Sequence, residues 1–381
     1  MAKYLVTLTP TGRFFFGGDM TFTVGDKKEE ENAERKTHNE KFSSYIIHSS
    51  KFPQQTSLLG MLRFLLLAND EAAFDKEKQK IRNKQRAKEL IGEKSFSVNL
   101  TEHTRNEFGN IQSIGSCFLY DTNKGKGYFT APADSSLQIE GEETIVTTAT
   151  LNGTALRIPV ILKDKEEYSS KMWLCEEYIS VENGKTEILK DDDVFKEDER
   201  IGIRKNAEGK TEEDAFYKQI GYKIMQPHLS FAFMAIIENI DLTAYNGQLV
   251  SLGADSSIFV FNAIPQEDNK TLKINLPEKV YPLAGNKKWA RVVLQSDTYL
   301  EQADLEKVEY AICSTKSFRF LSFTVDTENY NVMGHINERS KRYNLYKAGS
   351  VFFLDESQTE AFKNKIAGKE DFAQIGYNQY Y

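Results

Sequence analysis

The chain has 381 residues, of which 40% are hydrophobic and 12% are aromatic. This length exceeds that of one compact domain and predicts two, while the apolar content excludes a disordered chain. Lys and Arg number 49 against 56 Asp and Glu, which gives a net charge of −7. That balance excludes a uniformly basic protein that coats nucleic acid.

The cysteines and the apolar runs favour a reducing, aqueous compartment. Cys117, Cys175 and Cys313 are far apart, so they predict neither a disulfide framework nor a thiolate zinc site. The N-terminus has no signal-peptide core, and the most apolar stretch, residues 58–68, is about half of the roughly 20 residues that span a bilayer. We therefore expect a cytoplasmic protein that does not enter a membrane.

The first fifty residues predict two strands separated by a turn and a charged insertion. Residues 4–9 (YLVTLT) are typical of a β-strand, and residues 14–18 (FFFGG) of a tight aromatic turn. Residues 25–41 are polar and highly charged, which indicates an inserted segment. A short strand and then a loop that contains Pro53 are expected to follow within residues 45–55 (YIIHSSKFPQQ).

A helix is predicted over residues 56–68, with Thr56 as its N-cap. Leucines spaced i, i+4, i+7 and i+8 should face the core: Leu58, Leu62, Leu65 and Leu66. Thr56, Gly60 and Arg63 lie on another stripe of this helix. A glycine inside a helix costs about 1 kcal/mol relative to alanine, so Gly60 indicates close approach by another group.

A second helix is predicted over residues 71–92. Its segment 76–88 contains seven Lys and Arg side chains and one acid, Glu77. Such a run is commonly a solvated face, but the excess of cations is larger than i, i+4 ion pairing requires.

The remaining pattern predicts a mixed α+β fold with antiparallel sheets. Residues 95–200 favour short strands and turns, and residues 228–237 alternate in polarity as a half-buried strand does. Further strands are predicted at 318–325 and 350–354, and helices at 298–307 and 357–367. Because regular βα alternation is absent, we expect an α+β protein.

The sequence carries no recognisable catalytic or metal-binding signature. Walker, HExxH and GxSxG motifs are missing, and the five histidines are dispersed. His48 is the histidine nearest to a candidate functional loop, so it is the best candidate for acid–base chemistry, although a structural or incidental role is the more common one for such a residue.

Residues 51–63 (KFPQQTSLLGMLR) form a candidate phosphate site. A polar loop entering a helix offers unpaired backbone N–H groups and the positive end of the helix dipole. Thr56 and Ser57 add hydroxyl groups, and Arg63 adds a charge. An ordinary capped core helix would have the same pattern.

Two further basic segments lie in the second half of the chain. Residues 200–217 predict a hairpin with Arg204, Lys205 and Lys210 near its tip. Arg339, Lys341, Arg342 and Lys347 precede a strand. The cations therefore gather in four segments, at 51–63, 76–88, 204–210 and 339–347.

The ordered set of motifs resembles a known family. The turn RFFFGGDMTF, the loop and helix FPQQTSLLGMLRFLL, the hairpin RIGIRKNAEGKTEEDAFY, the segment SLGADSSIFVF and the closing KAGSVFFL and QIGYNQY occur in the order found in RAMP proteins. They are most similar to the third Cmr subunit of type III-B CRISPR effector complexes. The similarity runs from residue 4 to residue 380.

This resemblance implies two ferredoxin-like (RRM-like) βαββαβ domains, which we place at residues 1–200 and 201–381, the second including a thumb-type hairpin. It implies a subunit without a catalytic site, cofactor or metal that grips the 5′ tag of the crRNA in antiviral defence. The implied protein partners are the large polymerase-like subunit and the backbone RAMP subunits, and target RNA is an indirect partner.

The resemblance also assigns RNA-binding residues. Those expected to face or flank the tag from the first domain are Arg13, Lys51, Gln55, Thr56, Ser57, Gly60 and Arg63. Those expected in the thumb hairpin are Ile203, Arg204, Lys205 and Asn206. Those expected to complete the groove from the second domain are Gly349, Gly376, Tyr377 and Asn378.

Two alternatives remain open. One is a metal-independent RAMP endoribonuclease that trims the crRNA precursor, with His48 as its acid or base. The other is a purely structural assembly subunit whose basic loops contact acidic proteins.

Overall fold

The computed structural model describes residues 1–18, 20–23, 44–134, 146–151, 154–159, 177–182, 185–205, 211–255, 257–266, 276, 281–282, 288–321 and 340–381. The predicted insertion at residues 25–41 lies outside these ranges. The strands are β1 (Ala2–Pro10), β2 (Met20–Thr23), β3 (Ser44–His48), β4 (Phe74–Asp75), β5 (Lys80–Ile81), β6 (Ile111–Ile114), β7 (Phe118–Asp121), β8 (Lys126–Thr130), β9 (Val146–Leu151), β10 (Thr154–Pro159), β11 (Glu177–Glu182), β12 (Lys185–Lys190), β13 (Phe195–Lys205), β14 (Thr211–Ile224), β15 (Leu229–Ile237), β16 (Leu249–Ser251), β17 (Ile258–Gln266), β18 (Tyr281–Pro282), β19 (Lys288–Val293), β20 (Thr298–Tyr299), β21 (Tyr310–Ile312), β22 (Thr315–Phe318), β23 (Tyr343–Tyr346) and β24 (Val351–Asp355).

The described residues also form five α-helices: α1 (Gln55–Ala68), α2 (Lys84–Ile91), α3 (Asp191–Val194), α4 (Thr359–Ala367) and α5 (Glu370–Gln374). Short 3-10 helices cover Leu242–Tyr245, Gln302–Leu305 and Glu356–Gln358. No helix of the described ranges is long and apolar enough to cross a membrane. The predicted α+β class is therefore confirmed, with few helices and mostly antiparallel sheets.

The first strand lies in the middle of the largest sheet. The sheet order is β12-β11-β8-β7-β15-β1-β17-β16, and β6 also pairs with β15. Val6 lies opposite Phe233 on β15 and Ala263 on β17, and both pairings are antiparallel. Residues 4–8 of β1 are all buried, so both faces of this central strand are covered, and β1 pairs on each side with a strand more than 200 residues away in sequence.

Alternation along β15 and β1 builds the main core. The predicted inward face of β15 is confirmed, since its residues are all buried: Leu229, Phe231, Phe233, Ala235 and Ile237. Tyr4, Val6 and Leu8 of β1 join the same core, together with the α1 leucines. Leu5 points to the other face, where it packs with Phe118 and Phe129.

Among the smaller sheets of the described residues, two have four strands each. β13, β14, β3 and β2 form the first, in which β14 and β3 are parallel. β18, β19, β24 and β21 form the second, covered on one face by Phe362 and Ile366 of α4. The boundary that we predicted between residues 200 and 201 falls inside β13, and the division into two ferredoxin-like domains stays a prediction.

Helix α1 confirms the prediction for residues 56–68 with one correction. The helix begins at Gln55, and its N-cap is Gln54, whose side chain makes no capping hydrogen bond. Thr56 as the N-cap was therefore wrong. The four leucines predicted to face the core are buried.

The prediction of one helix over residues 71–92 was wrong for the first half of that segment. Residues 74–81 form a β-hairpin from β4 and β5, and α2 begins at Lys84. The Asp75 carboxylate accepts hydrogen bonds from the backbone N–H groups of Glu77 and Lys78, which favours a turn over a helix. Similarly, residues 298–307 form β20 and a 3-10 helix, so that helix prediction was wrong in type.

A buried arginine connects the aromatic turn to the β13–β14 hairpin. The Arg13 side chain is 4% exposed and pairs with Asp198 (3.1 Å) and Asp255 (2.5 Å). It also donates a hydrogen bond to Gln219 (3.0 Å). Lys223 donates to Asp198 and, with Arg13, holds the pKa of that carboxyl below its usual range. The network fixes the base of the hairpin against the core.

We predict that Arg13→Met lowers the free energy of unfolding by about 2–3 kcal/mol, because it removes charge-assisted hydrogen bonds from a buried site. The matched control is Arg200→Met. Arg200 is 58% exposed beside the same two carboxylates, so its loss should cost less than about 1 kcal/mol. Equal losses in urea unfolding would show that Arg13 does not hold the hairpin.

Candidate functional site

A cleft of ≈ 380 Å³ lies where four distant segments meet. Its walls are the loop before α1, the 130–133 segment after β8, the turn before β24 and the C-terminal segment at Tyr377. Four of the residues predicted as RNA-binding line it: Lys51, Gln55, Gly349 and Tyr377. These four residues come from three separate segments of the sequence, and the fold brings them together in one cleft.

The side-chain amide of Gln55 holds one wall of the cleft. Its Nε2 donates to the carbonyl oxygens of Gly115 (2.7 Å) and Ile375 (2.9 Å). Gly376 has a φ of +90°, and a Cβ atom there would lie 1.9 Å from Gln55 Nε2 and 2.3 Å from the Gly115 oxygen. Glycine is required at 376 because this approach leaves no room for a side chain.

Glycine is also required at position 349, in the turn before β24 that forms another wall of the cleft. The φ of Gly349 is +83°, and a Cβ atom would lie 2.6 Å from the carbonyl oxygen of Ala131. Its backbone N–H donates to Leu294, and its carbonyl accepts from Ala133. The turn that presents Lys347 is thus fixed against the 131–133 segment.

Three lysines and two aspartates give the cleft its charge. Lys51 pairs with Asp191 (2.5 Å), whose other oxygen accepts a hydrogen bond from the Tyr178 hydroxyl (2.7 Å). Lys316 pairs with Asp297. Lys347 makes no ion pair with any residue that the structure describes. Among the described residues that line the cleft there is therefore one more cation than anion, and the cation without an ion pair is Lys347.

Tyr377 and Asn378 lie beneath the cleft as supports. The Tyr377 hydroxyl is buried near the backbone N–H groups of Gln55 and Thr56, and burial raises its pKa well above the usual value. Asn378 is buried, donates to the carbonyls of Tyr299 and Ile366, and accepts from the Tyr299 N–H. Asn378 thus connects the C-terminal segment to β20 and α4.

Aromatic and small polar groups complete the lining. Phe52 is half-buried beside Tyr178, with ring centroids 5.6 Å apart. Ser49, Ser50 and Ser296 offer hydroxyl groups. Cys117 also lines the cleft, but burial raises the pKa of its thiol, so it is not a reactive thiolate.

Two predicted arginines lie away from the cleft. Arg63 is 2% exposed, and its guanidinium donates to the carbonyls of Ile91 (2.8 Å) and Gly92 (3.3 Å). It therefore connects α1 to the end of α2, and our expectation that it faces a ligand is not supported by its position. Arg13 lies in the ion-pair network of the hairpin base.

The other predicted residues divide into two groups. Ser57 and Gly60 are exposed on α1, and Thr56 is half-buried. Ile203, Arg204 and Lys205 belong to β13, while Asn206 and the side chains of 203–205 lie outside the described residues. Ile203 pairs with Phe216 of β14, whereas Tyr222 of the same strand lines the cleft. Phe216 and Tyr222 are six residues apart along the strand, so Ile203 lies roughly 20 Å from the cleft.

Three charged residues of the cleft were not predicted as site residues from the sequence: Asp191, Asp297 and Lys316. None lies in a basic run or in a motif of the family resemblance, so no local signal marks them as part of a site. Lys347 did belong to a basic segment that we identified. Asp297 also accepts a hydrogen bond from the Ala348 N–H (3.0 Å), which fixes the turn beside Lys347.

His48 does not line the cleft. It is exposed on β3, and no described side chain hydrogen bonds to its ring. Its backbone carbonyl lies against Gly18, where a Cβ atom would come within 1.8 Å of the oxygen.

The geometry is that of an α+β protein with a cationic cleft between its sheets. The chain belongs to the Cmr3 family of CRISPR-associated proteins (Cas_Cmr3), whose family model matches residues 6–381. This membership confirms the resemblance to the third Cmr subunit that the motifs suggested. No curated protein matches the chain in sequence.

Similar chains occur in solved structures of a type III-B Cmr-beta complex. One, from the complex bound to cognate target RNA, is 13% identical, with a TM-score of 0.45 over 99% of this chain and 96% of the other. Another, from the complex with target RNA and AMPPnP, is 12% identical, with a TM-score of 0.48 over 99% and 95%.

We predict that Gly376→Ala destabilises the protein by more than Gly247→Ala. Both glycines have a positive φ, but a Cβ atom at Gly247 meets nothing within 4 Å. Gly247→Ala should therefore lower the free energy of unfolding by only about 1–2 kcal/mol, the cost of a left-handed backbone for a residue with a Cβ atom. Gly376→Ala must in addition displace the Gln55 side chain from its hydrogen bonds. Equal losses in denaturant unfolding would contradict the role of Gly376 in holding the cleft wall.

Proposed function

We propose that this chain is a non-catalytic RNA-binding subunit of a type III-B CRISPR effector ribonucleoprotein, where it holds the 5′ tag of the crRNA. One observation carries the proposal. Lys51 and Gln55, Gly349, and Tyr377 come from three separate family motifs and line one cleft. Membership of the Cmr3 family supports a role in a CRISPR complex.

The chemistry of the cleft suits a short single strand of RNA. Phosphate groups are held by lysines, hydroxyls and backbone N–H groups, while bases stack on aromatic rings. Lys347 can meet a phosphate without first breaking an ion pair with a described residue. Phe52 offers a half-buried ring at the loop before α1. The pairs at Asp191 and Asp297 keep Lys51 and Lys316 in fixed positions.

The β13–β14 hairpin extends this site in the proposal. Its base contributes Tyr222 to the cleft, and Arg204 and Lys205 lie on the same strand pair farther out. We propose that the hairpin folds over the guide. Charge reversal at Arg204 should therefore weaken crRNA binding.

The same hairpin is our candidate contact for protein partners. Ile201 is 76% exposed on one face of the hairpin and Tyr217 is 41% exposed on the other, because Ile201 pairs with Lys218 and Gly202 pairs with Tyr217. Each face therefore offers one exposed apolar side chain that a partner subunit can cover. We propose that the chain docks the large polymerase-like subunit and lies beside the backbone RAMP subunits, so that it contributes to target-RNA recognition indirectly.

We predict that Lys347→Gln weakens the binding of crRNA and lowers the slope of log K against log[salt] by about 0.7, as expected for one lost phosphate contact on a single strand. The control is Lys307→Gln, which removes an exposed charge outside the cleft. If both variants kept the wild-type slope in a salt titration, the cleft would not hold the RNA backbone.

A second prediction separates this proposal from the endoribonuclease alternative. We expect purified protein to leave repeat RNA intact in the absence of metal, because His48 lies outside the cleft. Cleavage products on a denaturing gel that disappear in His48→Ala would overturn the non-catalytic role. A purely structural subunit would instead leave the RNA both uncut and unbound.

A further inference from the structure

Helix α1 has an exposed stripe that the cleft does not use. Its members follow at i, i+3 and i+7, and so lie on one face: Ser57, Gly60 and Phe64. The Phe64 ring is 43% exposed, an unusual position for a phenylalanine on an otherwise buried helix. The stripe begins beside the cleft, since Gln55 of the same helix lines it.

No contact with a described residue requires glycine at position 60. A Cβ atom there meets nothing within 4 Å, and its φ is not in the left-handed region. Alanine at a helix interior is favoured over glycine by about 1 kcal/mol. A bare backbone on an exposed face is what close approach by an external group requires.

The stripe ends at a rigid basic hairpin. The Phe64 ring packs edge-on against Phe74, the first residue of β4, with centroids 6.1 Å apart. The β4–β5 turn is fixed by the Asp75 carboxylate, and the Gln79 side chain donates to the Lys76 carbonyl (2.7 Å). This hairpin presents three exposed lysines: Lys76, Lys78 and Lys80.

Three acids near these lysines are engaged by other cations, whereas the exposed Glu71 and Glu77 pair with no described cation, which leaves three lysines against one unpaired acid, Glu77, within the hairpin. Asp75 pairs with Arg82 (3.0 Å) and Asp70 pairs with Arg86 (2.9 Å). Glu93 lies 3.6 Å from Lys88. Lys76, Lys78 and Lys80 make no ion pair with a described residue, so the hairpin is a cationic surface on a chain of net charge −7.

We propose that the α1 stripe and the β4–β5 hairpin form a second contact surface for single-stranded RNA, with Phe64 stacking on a base and the three lysines neutralising phosphates. The proposal rests on the RNA-binding function proposed above and extends it beyond the cleft. Helix α1 has 14 residues, so its C-terminal end lies about 20 Å from the end at the cleft. An RNA that reaches both must run along the exposed face, over Gly60.

The first test compares two oligouridylates, of about 4 and about 16 nucleotides, the range of single-strand site sizes. The variant Lys76→Gln/Lys78→Gln/Lys80→Gln should lower the salt slope for the longer RNA by about 2 and leave that for the shorter one unchanged. The control variant is Lys94→Gln/Lys185→Gln/Lys307→Gln. It makes the same change in charge at exposed positions outside the cleft, the β13–β14 hairpin and residues 76–80.

The second test uses α1 itself with the longer RNA. Phe64→Leu should weaken binding about 5-fold or more, because it removes the ring but keeps the apolar contact with Phe74, whereas Phe64→Tyr should bind as the wild type does. Gly60→Ala should raise the unfolding midpoint and weaken binding. A residue with a merely structural role would not change stability and affinity in opposite directions.

The outcomes separate the two proposals. If Lys347→Gln weakens binding but the hairpin and Phe64→Leu variants match their controls, the second surface is wrong and the cleft stands. If the wild type binds neither RNA, both proposals fail. If the hairpin variant loses an acidic protein subunit but keeps its RNA affinity, the surface contacts protein and the inference is overturned.

Discussion

The side-chain amide of Gln55 is the contact on which the cleft depends. Its Nε2 is buried and donates to two backbone carbonyls, at Gly115 and Ile375, that belong to distant parts of the chain. A buried amide without such partners would cost about 1–3 kcal/mol in stability. Moving either carbonyl away from Gln55 would incur this cost, so the hydrogen bonds hold the three segments together. Gly376 makes the approach possible. The loop before α1 and the C-terminal segment consequently share one wall, although some 320 residues separate them in sequence.

The charges of the cleft explain how an acidic protein can present an RNA site. Asp191 and Asp297 each neutralise a lysine, and the Tyr178 hydroxyl and the Ala348 N–H hold these carboxylates in place. For the part of the lining that the structure describes, the remaining excess is one positive charge, at Lys347. Electrostatic attraction to phosphate falls off within about 8 Å at physiological ionic strength, so local charge decides binding and the net charge of −7 has little influence.

The elements predicted correctly are those with a strong period. The leucine spacing of α1 and the alternation in β15 predicted both the type of each element and its buried face, because buried positions repeat at the period of the secondary structure. Residues 76–88 misled the prediction, since Asp75 and its hydrogen bonds to following N–H groups stop a helix that the lysines alone would allow. Side-chain chemistry at one position outweighed propensity over several.

Individual site residues were harder to predict than the motifs that contain them. Lys51, Gln55, Gly349 and Tyr377 do line the cleft, but Arg13 and Arg63 satisfy carboxylates and carbonyls inside the fold. Sequence spacing does not reveal whether an arginine faces solvent or a buried carbonyl. Lys316 and Asp297 are adjacent to the other cleft residues only through the pairing of distant strands, so no local pattern marks them.

Ultraviolet crosslinking of RNA in the native particle, followed by mass spectrometry of the crosslinked peptides of this chain, tests the central claim most directly. Binding in the cleft predicts nucleotides attached to peptides that contain residues 49–53 and 347–349. A particle whose RNA crosslinks to this chain only outside those peptides, or not at all, would contradict the account.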